Sequence, residues 1–170
     1  MYITQALTDH HQVLRQLYQA SQSDPSRFEE FVRHLIVHHT MEERYFYDLM
    51  EQISEGRHDA LEAVNEHHII ELIIKDAEGF PQEHDKFTIK IEGLGEYTSH
   101  HLDEEENEIF PTAPQLFTDD EANTLGDLFN EAKDRMLGID LPAVPQGIPG
   151  AVSDSSRTTS RGLGIGSLKR

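Results

Sequence analysis

A chain of 170 residues without cysteine suits one domain plus a tail, and it leaves imidazole and carboxylate to hold a metal, because disulfides, thiolate sites, iron–sulfur clusters and a cysteine nucleophile are all excluded. The formal net charge of −18, with the 11 histidines counted neutral, describes a solvated acidic surface that repels a phosphate backbone, so no nucleic-acid partner is expected. The opening Met-Tyr-Ile-Thr-Gln-Ala-Leu has neither the basic segment nor the apolar core of a secretory signal, and no apolar run reaches the roughly 18 residues that cross a bilayer, which predicts a cytoplasmic protein without membrane contact.

Ile3, Ala6, Leu7, His10, Val13, Leu14 and Leu17 recur at three- and four-residue steps. They predict a first amphipathic helix over 2–21, with His10 inside its apolar stripe. Asp24 before Pro25 reads as an N-cap followed by proline at the first helical position. The second helix, 25–54, carries two adjoining lines. One holds Phe28, Phe31, Leu35, His38, Glu42, Tyr45 and Leu49; the other holds Val32, Ile36, His39, Glu43, Phe46 and Met50. Both are largely apolar, so periodicity does not choose between His38 and His39. The third helix, 57–78, puts Ala60, Ala63, Val64, His67, Ile70 and Ile74 on one face and turns His67 inwards, before Gly79-Phe80-Pro81 ends it.

The fourth helix, 83–109, aligns Phe87, Ile91, Leu94, Thr98, His101, Glu105 and Ile109. The competing line through His100 contains Lys90, Gly93, Glu104 and Asn107, so His101 is the inward histidine. Gly93 and Gly95 mark a kink or a close helix contact, and Pro111 and Pro114 stop the helix. Thr118-Asp119-Asp120-Glu121 is a capping-box pattern. It opens a fifth helix through Leu125, Leu128, Phe129, Ala132 and Met136 to Gly138, expected across or beside the other four. Residues 141–170 are rich in proline, glycine, serine and threonine, and carry a net +3 that leaves −21 for residues 1–140. They predict a flexible tail, and a basic segment suited to folding back on the acidic body or to a protein partner. The domain is placed at 1–138 and the tail at 139–170.

Eight of the 11 histidines stand in adjacent pairs, His10–His11, His38–His39, His67–His68 and His100–His101. One member of each pair is expected to point into a helical bundle. Histidine and glutamate at i and i+4 share a helix face one turn apart. His38 with Glu42, and His101 with Glu105, therefore each offer an imidazole and a carboxylate to one point. With His10 and His67 from the other helices, six ligands converge in a bundle core, a recurrent place for metal sites. Six nitrogen and oxygen ligands exceed what one tetrahedral zinc needs and suit two octahedral irons bridged by the carboxylates. Without a metal such a core would bury two carboxylates and four imidazoles uncompensated.

The segments Asp9-His10-His11-Gln12-Val13, His38-His39-Thr40-Met41-Glu42-Glu43-Arg44-Tyr45-Phe46-Tyr47, Glu66-His67-His68-Ile69-Ile70 and His101-Leu102-Asp103-Glu104-Glu105 through Phe110-Pro111 resemble those of the haemerythrin-like HHE cation-binding domain over residues 1–138. The resemblance implies an all-α, antiparallel up-down four-helix bundle, here with an additional C-terminal helix and a flexible tail. It implies two non-haem iron ions, bridged by Glu42 and Glu105 and by an oxo or hydroxo group. In the family the second and fourth helices end in an aromatic, often next to proline, and counting back from Tyr47 and from Phe110-Pro111 selects His38 and His101. One departure stands out. Oxygen-carrying haemerythrins have a further histidine on the third helix, four residues after the first, where this chain has Glu71. Water, Glu71 or a tyrosine, Tyr45 first, is expected to fill that place.

The expected function is a non-haem di-iron protein that binds oxygen, nitric oxide or iron, in oxygen or iron sensing, storage or stress response. The alternative is a di-iron enzyme that acts on peroxide or as an oxidase. No nucleophile pattern or separate substrate pocket is legible, which favours binding over catalysis. His11, His39, His68 and His100 are expected at helix seams or in solvent. Glu43, Glu104, Glu106 and Glu108 are expected on a solvated face.

Overall fold

The structure, a computed structural model, describes residues 1–139. Five main helices account for most of it: α1 (Ile3–Ser23), α2 (Phe28–Glu42), α3 (Arg57–Glu78), α4 (Asp85–Glu104) and α5 (Asp119–Leu137). Among the described residues there is no strand, and the all-α expectation holds. The predicted bounds of α3 coincide with the observed ones. The others differ mainly where capping geometry and tight turns begin. Asp24 caps a 3-10 turn, Pro25–Arg27, by accepting a hydrogen bond from the Ser26 N–H, and α2 starts only after that turn.

α2 and α4 do not stop where their α-helical bonding stops. Each runs on through a five-residue π-helical turn, Glu43–Tyr47 after α2 and Glu105–Ile109 after α4. A short turn Asp48–Met50 then finishes the second rod. Phe110–Thr112 and Ala113–Leu116 finish the fourth. A π turn bonds i to i+5 and so inserts a residue relative to the 3.6 period. Apolar lines drawn at helical spacing slip by one residue beyond such a turn.

Short connections make neighbouring helices antiparallel. α1 packs on α2 and α4, α3 packs on α4, and α2 with its π turn meets α3, which closes a four-helix ring. α5 lies outside that ring against α1 and α2. Its start is fixed by the predicted capping box: Thr118 Oγ1 accepts from the Glu121 N–H and the Glu121 carboxylate accepts from the Thr118 N–H. Its end is fixed by Gly138, whose φ of +73° takes the left-handed conformation that closes a helix C-terminus.

The core divides along the bundle axis. One apolar cluster gathers Leu14, Phe28, Phe31, Leu35, Ile70, Phe87, Ile91 and Leu94. The other gathers Ile3, Leu7, Met41, Phe46, Met50, Ile109, Phe110 and Phe129. Between them, at positions 10–11, 38–42, 67 and 98–105, lies a layer of buried histidine and glutamate. At the α1–α4 contact, a Cβ on Gly95 would run into the Tyr18 ring, whereas one on Gly93 would meet nothing within 4 Å. Of the two glycines, Gly95 makes the close helix contact.

The flexible tail expected from residue 139 falls, apart from Ile139, outside the described residues. Among the described residues no helix is long and apolar enough to cross a membrane.

Candidate metal centre

The i,i+4 pairs form as their spacing requires. His38 Nε2 lies 3.4 Å from Glu42 Oε2, and His101 Nε2 lies 3.3 Å from Glu105 Oε1. Packing brings a histidine from each remaining helix of the ring to the same place. His11 Nε2 is 3.4 Å from Glu105 Oε2, His67 Nε2 is 3.6 Å from Glu42 Oε2, and His67 Nε2 and His101 Nε2 are 2.9 Å apart. The result is two sets of four buried side chains: His11, His38, Glu42 and Glu105 in one, and His67, His101, Glu42 and Glu105 in the other. Within each set the ligand atoms all lie within 4.8 Å of one another. The two sets share both carboxylates.

The far ring nitrogens are also engaged. His11 Nδ1 pairs with Glu106 Oε1 at 2.8 Å, His67 Nδ1 with Glu43 Oε1 at 2.9 Å, and His101 Nδ1 with Glu66 Oε2 at 2.7 Å. His38 Nδ1 faces His10 Nδ1 at 3.0 Å. Such outer partners orient an imidazole and fix which nitrogen it presents. Glu43 and Glu106 each follow a shared carboxylate in sequence, so each acid doublet serves two helices: the first acid enters the centre and the second braces a histidine from another helix. Arg15 bonds both Glu106 and Asp103 and ties that brace to α1.

The inner atoms lack what the outer ones have. His11 Nε2, His38 Nε2, His39 Nε2, both oxygens of Glu42 and Glu105 Oε2 are buried without a hydrogen-bond partner. Burial, with Glu105 close by, pushes the Glu42 carboxyl well above its usual range. Burial likewise pushes His38, His39 and His67 well below theirs, and neighbouring imidazoles add to the effect. Burial also works against a charged His101 ring, but Glu105 and Glu66 beside it hold that ring above the ordinary histidine range. A neutral imidazole and a carboxylate in need of a cation are the states in which these side chains bind metal. The donor set, nitrogen and oxygen with no sulfur, suits a first-row transition metal such as iron, manganese, zinc or copper.

The structure brings His38, Glu42, His67, His101 and Glu105 together. His10 touches His38 from outside but is in neither set with the two carboxylates. Both members of the His10–His11 pair are buried, because α1 packs on neighbours to either side. His10 faces His38, His34 and Phe129, while His11 faces Glu105 and stacks on Phe110. His11, not His10, is the α1 histidine turned to the carboxylates. His39 is buried too, stacked on His67 with ring centroids 3.9 Å apart, and it lies within ligand reach of His67 and His101. Only in the other two pairs does one histidine point in and its neighbour, His68 or His100, point out.

Of the side chains expected at the remaining place, Glu71 and Tyr45 do not reach the centre. Glu71 is exposed beside Lys75, and Tyr45 sits half-buried under Arg44. Tyr47 arrives instead, five residues after Glu42 across the π turn, and its buried hydroxyl donates to Glu105 Oε1 at 2.6 Å. Leu7, His11, Leu14 and Tyr18 also recur at three- and four-residue steps, so the stripe that holds His10 does not exclude His11. The acid doublets were a legible signal for Glu43 and Glu106. An apolar groove of about 490 Å³, lined by Leu49, Ile53, Leu116, Phe117 and Leu125, has none of the centre's side chains in its wall.

Compared with models of protein families, residues 2–113 match the one described as the hemerythrin HHE cation binding domain. That span covers α1 to α4 and every side chain of the centre. The chain matches no curated protein and no solved structure.

Proposed function

The chain belongs to the hemerythrin HHE cation-binding domain family, and from that premise we propose that it is a non-haem di-iron protein that binds a small diatomic molecule, oxygen or nitric oxide, or iron itself, in sensing, storage or stress response. The observation that carries this reading is the sharing of Glu42 and Glu105 by two separate pairs of histidines. One ion would be held by His11 and His38, the other by His67 and His101, with both carboxylates common to the two. Two irons held there would supply redox chemistry between the ferrous and ferric states.

The chain's own part is to exclude water and fix orientation. The two apolar clusters seal the layer from both ends. The outer partners hold each imidazole with one nitrogen facing inwards. Tyr47 orients Glu105 by donating to Oε1, and burial keeps its hydroxyl protonated well beyond the usual tyrosine range.

The same tyrosine favours a second reading, an enzyme acting on peroxide or as an oxidase. A buried proton donor beside the centre is a feature that simple carriage does not require. One experiment separates the two. The iron-loaded protein is reduced anaerobically, its optical spectrum is recorded, and oxygen is admitted and then withdrawn. A reversible spectrum supports binding. Irreversible oxidation accompanied by peroxide turnover supports catalysis.

A further inference from the structure

The outer partners of the four ligand histidines are not alike. His67 and His101 are both braced by carboxylates, Glu43 at 2.9 Å and Glu66 at 2.7 Å. On the other side His11 is braced by Glu106 at 2.8 Å, but His38 meets only the imidazole of His10 at 3.0 Å. His10 in turn reaches His34, Nε2 to Nδ1 at 3.3 Å, and His34 is half-buried at the surface. For His38 to present Nε2 to a metal, its Nδ1 must carry the hydrogen and donate to His10 Nδ1. His10 then carries its own hydrogen on Nε2 and donates to His34. The chain of three rings is satisfied throughout, and none of it carries a negative charge.

That difference has a chemical consequence. A carboxylate facing the outer N–H draws the proton towards itself and makes the ring a stronger donor to metal; a neutral imidazole does so less. Resting on the di-iron reading, we propose that the two metal positions are unequal: the His67/His101 position fills first and empties last, and the His11/His38 position is the exchangeable one, with His10 the positioning residue that makes it so. A centre built this way can give up one ion while keeping the other. The bundle stays pinned by the firmly held metal while the exchangeable one responds to the iron level outside.

The test is anaerobic calorimetric titration of the metal-free protein with ferrous ion alone. The wild type should bind two ions in resolved events at least tenfold apart in affinity. Glu66→Gln removes a partly exposed brace from the firm position. It should weaken the tighter event by about 10–100-fold, the usual cost of losing an outer partner, and so close the gap. His10→Glu gives the weak position the carboxylate it lacks; it should tighten the second event and close the gap from the other side, which neither a ligand role nor a packing role for His10 predicts. Two events of equal affinity in the wild type would overturn the inequality and leave the di-iron reading standing. A gap that Glu66→Gln leaves open would overturn it as well, and that variant decides the matter if His10→Glu does not fold. Uptake of fewer than two ions by the wild type would instead remove the di-iron reading itself.

Discussion

His11 Nε2 stands 3.4 Å from Glu105 Oε2 with no hydrogen-bond partner, while the neighbouring His10 has both ring nitrogens engaged by other imidazoles. Adjacent residues on a helix point about 100° apart, and that rotation separates the proposed ligand His11 from His10, which supports His38. His11→Ala should therefore cost one iron per chain, and His10→Ala should retain both with looser binding of one. The same contrast on α4 is sharper. His101→Ala should lose iron, while His100→Ala, with a side chain 78% exposed, should change neither iron content nor stability. Iron assayed per chain checks all four variants.

Glu42 is buried with both oxygens unpartnered, and its carboxyl is pushed well above the usual range by burial and by Glu105. A buried carboxylate without a cation opposes folding. Glu42→Gln should therefore raise the melting temperature of the metal-free protein by a few degrees at neutral pH, and it should lower the melting temperature of protein incubated with iron. Paired thermal melts with and without metal read both signs. A lower melting temperature in the metal-free variant would mean that the wild-type carboxylate is paired in solution.

The buried imidazoles set the response to acid. His10 is pushed down to about 3, chiefly by burial, and His38, His39 and His67 also lie well below the ordinary value of 6.5. A group whose folded pKa is depressed contributes stability above its unfolded pKa and loses it as pH falls towards the folded value. The metal-free protein should thus melt progressively lower as pH drops from about 6.5 towards 3. Glu42, Glu43 and His101, whose values are raised, act in the opposite direction, while His34, Glu66 and Glu106, whose values are lowered, add to the decline. Iron should steepen the decline, because protons compete with metal for the same nitrogens. Calorimetric melts across this range, with and without iron, measure both slopes.

Two glycines on α4 offer a matched pair. Gly95→Ala drives a methyl into the Tyr18 ring and should destabilise by about 1–3 kcal/mol, the usual cost of overpacking. Gly93→Ala meets open space and should stabilise by roughly 0.5–1 kcal/mol through helix propensity alone. Denaturant unfolding of the two variants reads opposite signs.

The helices and most of the centre were legible because each rests on a local period. His38 and Glu42, and His101 and Glu105, are set by one helical turn, and His67 by an apolar face with no rival. The rest depends on packing between helices. α1 buries two adjacent histidines because it has neighbours on both sides, and no single-helix pattern says which ring meets Glu105. Tyr47 stands five residues after Glu42, where an α-helical step of four would put Phe46, because the π turn adds one residue to the spacing. His39 is buried beside His67 because the second helix carries two apolar lines, and both are used. Glu66 braces His101 across the α3–α4 contact rather than His67 beside it in sequence, which is again a matter of which helix faces which.

The proposed pair of metal ions would share Glu42 and Glu105. The most direct measurement is elemental analysis of the purified protein, together with the near-ultraviolet spectrum of its oxidised form. About two irons per chain are expected, with absorption from a bridged ferric pair that is lost in Glu105→Ala. One zinc per chain, with no iron and no such absorption, would contradict the proposed pair.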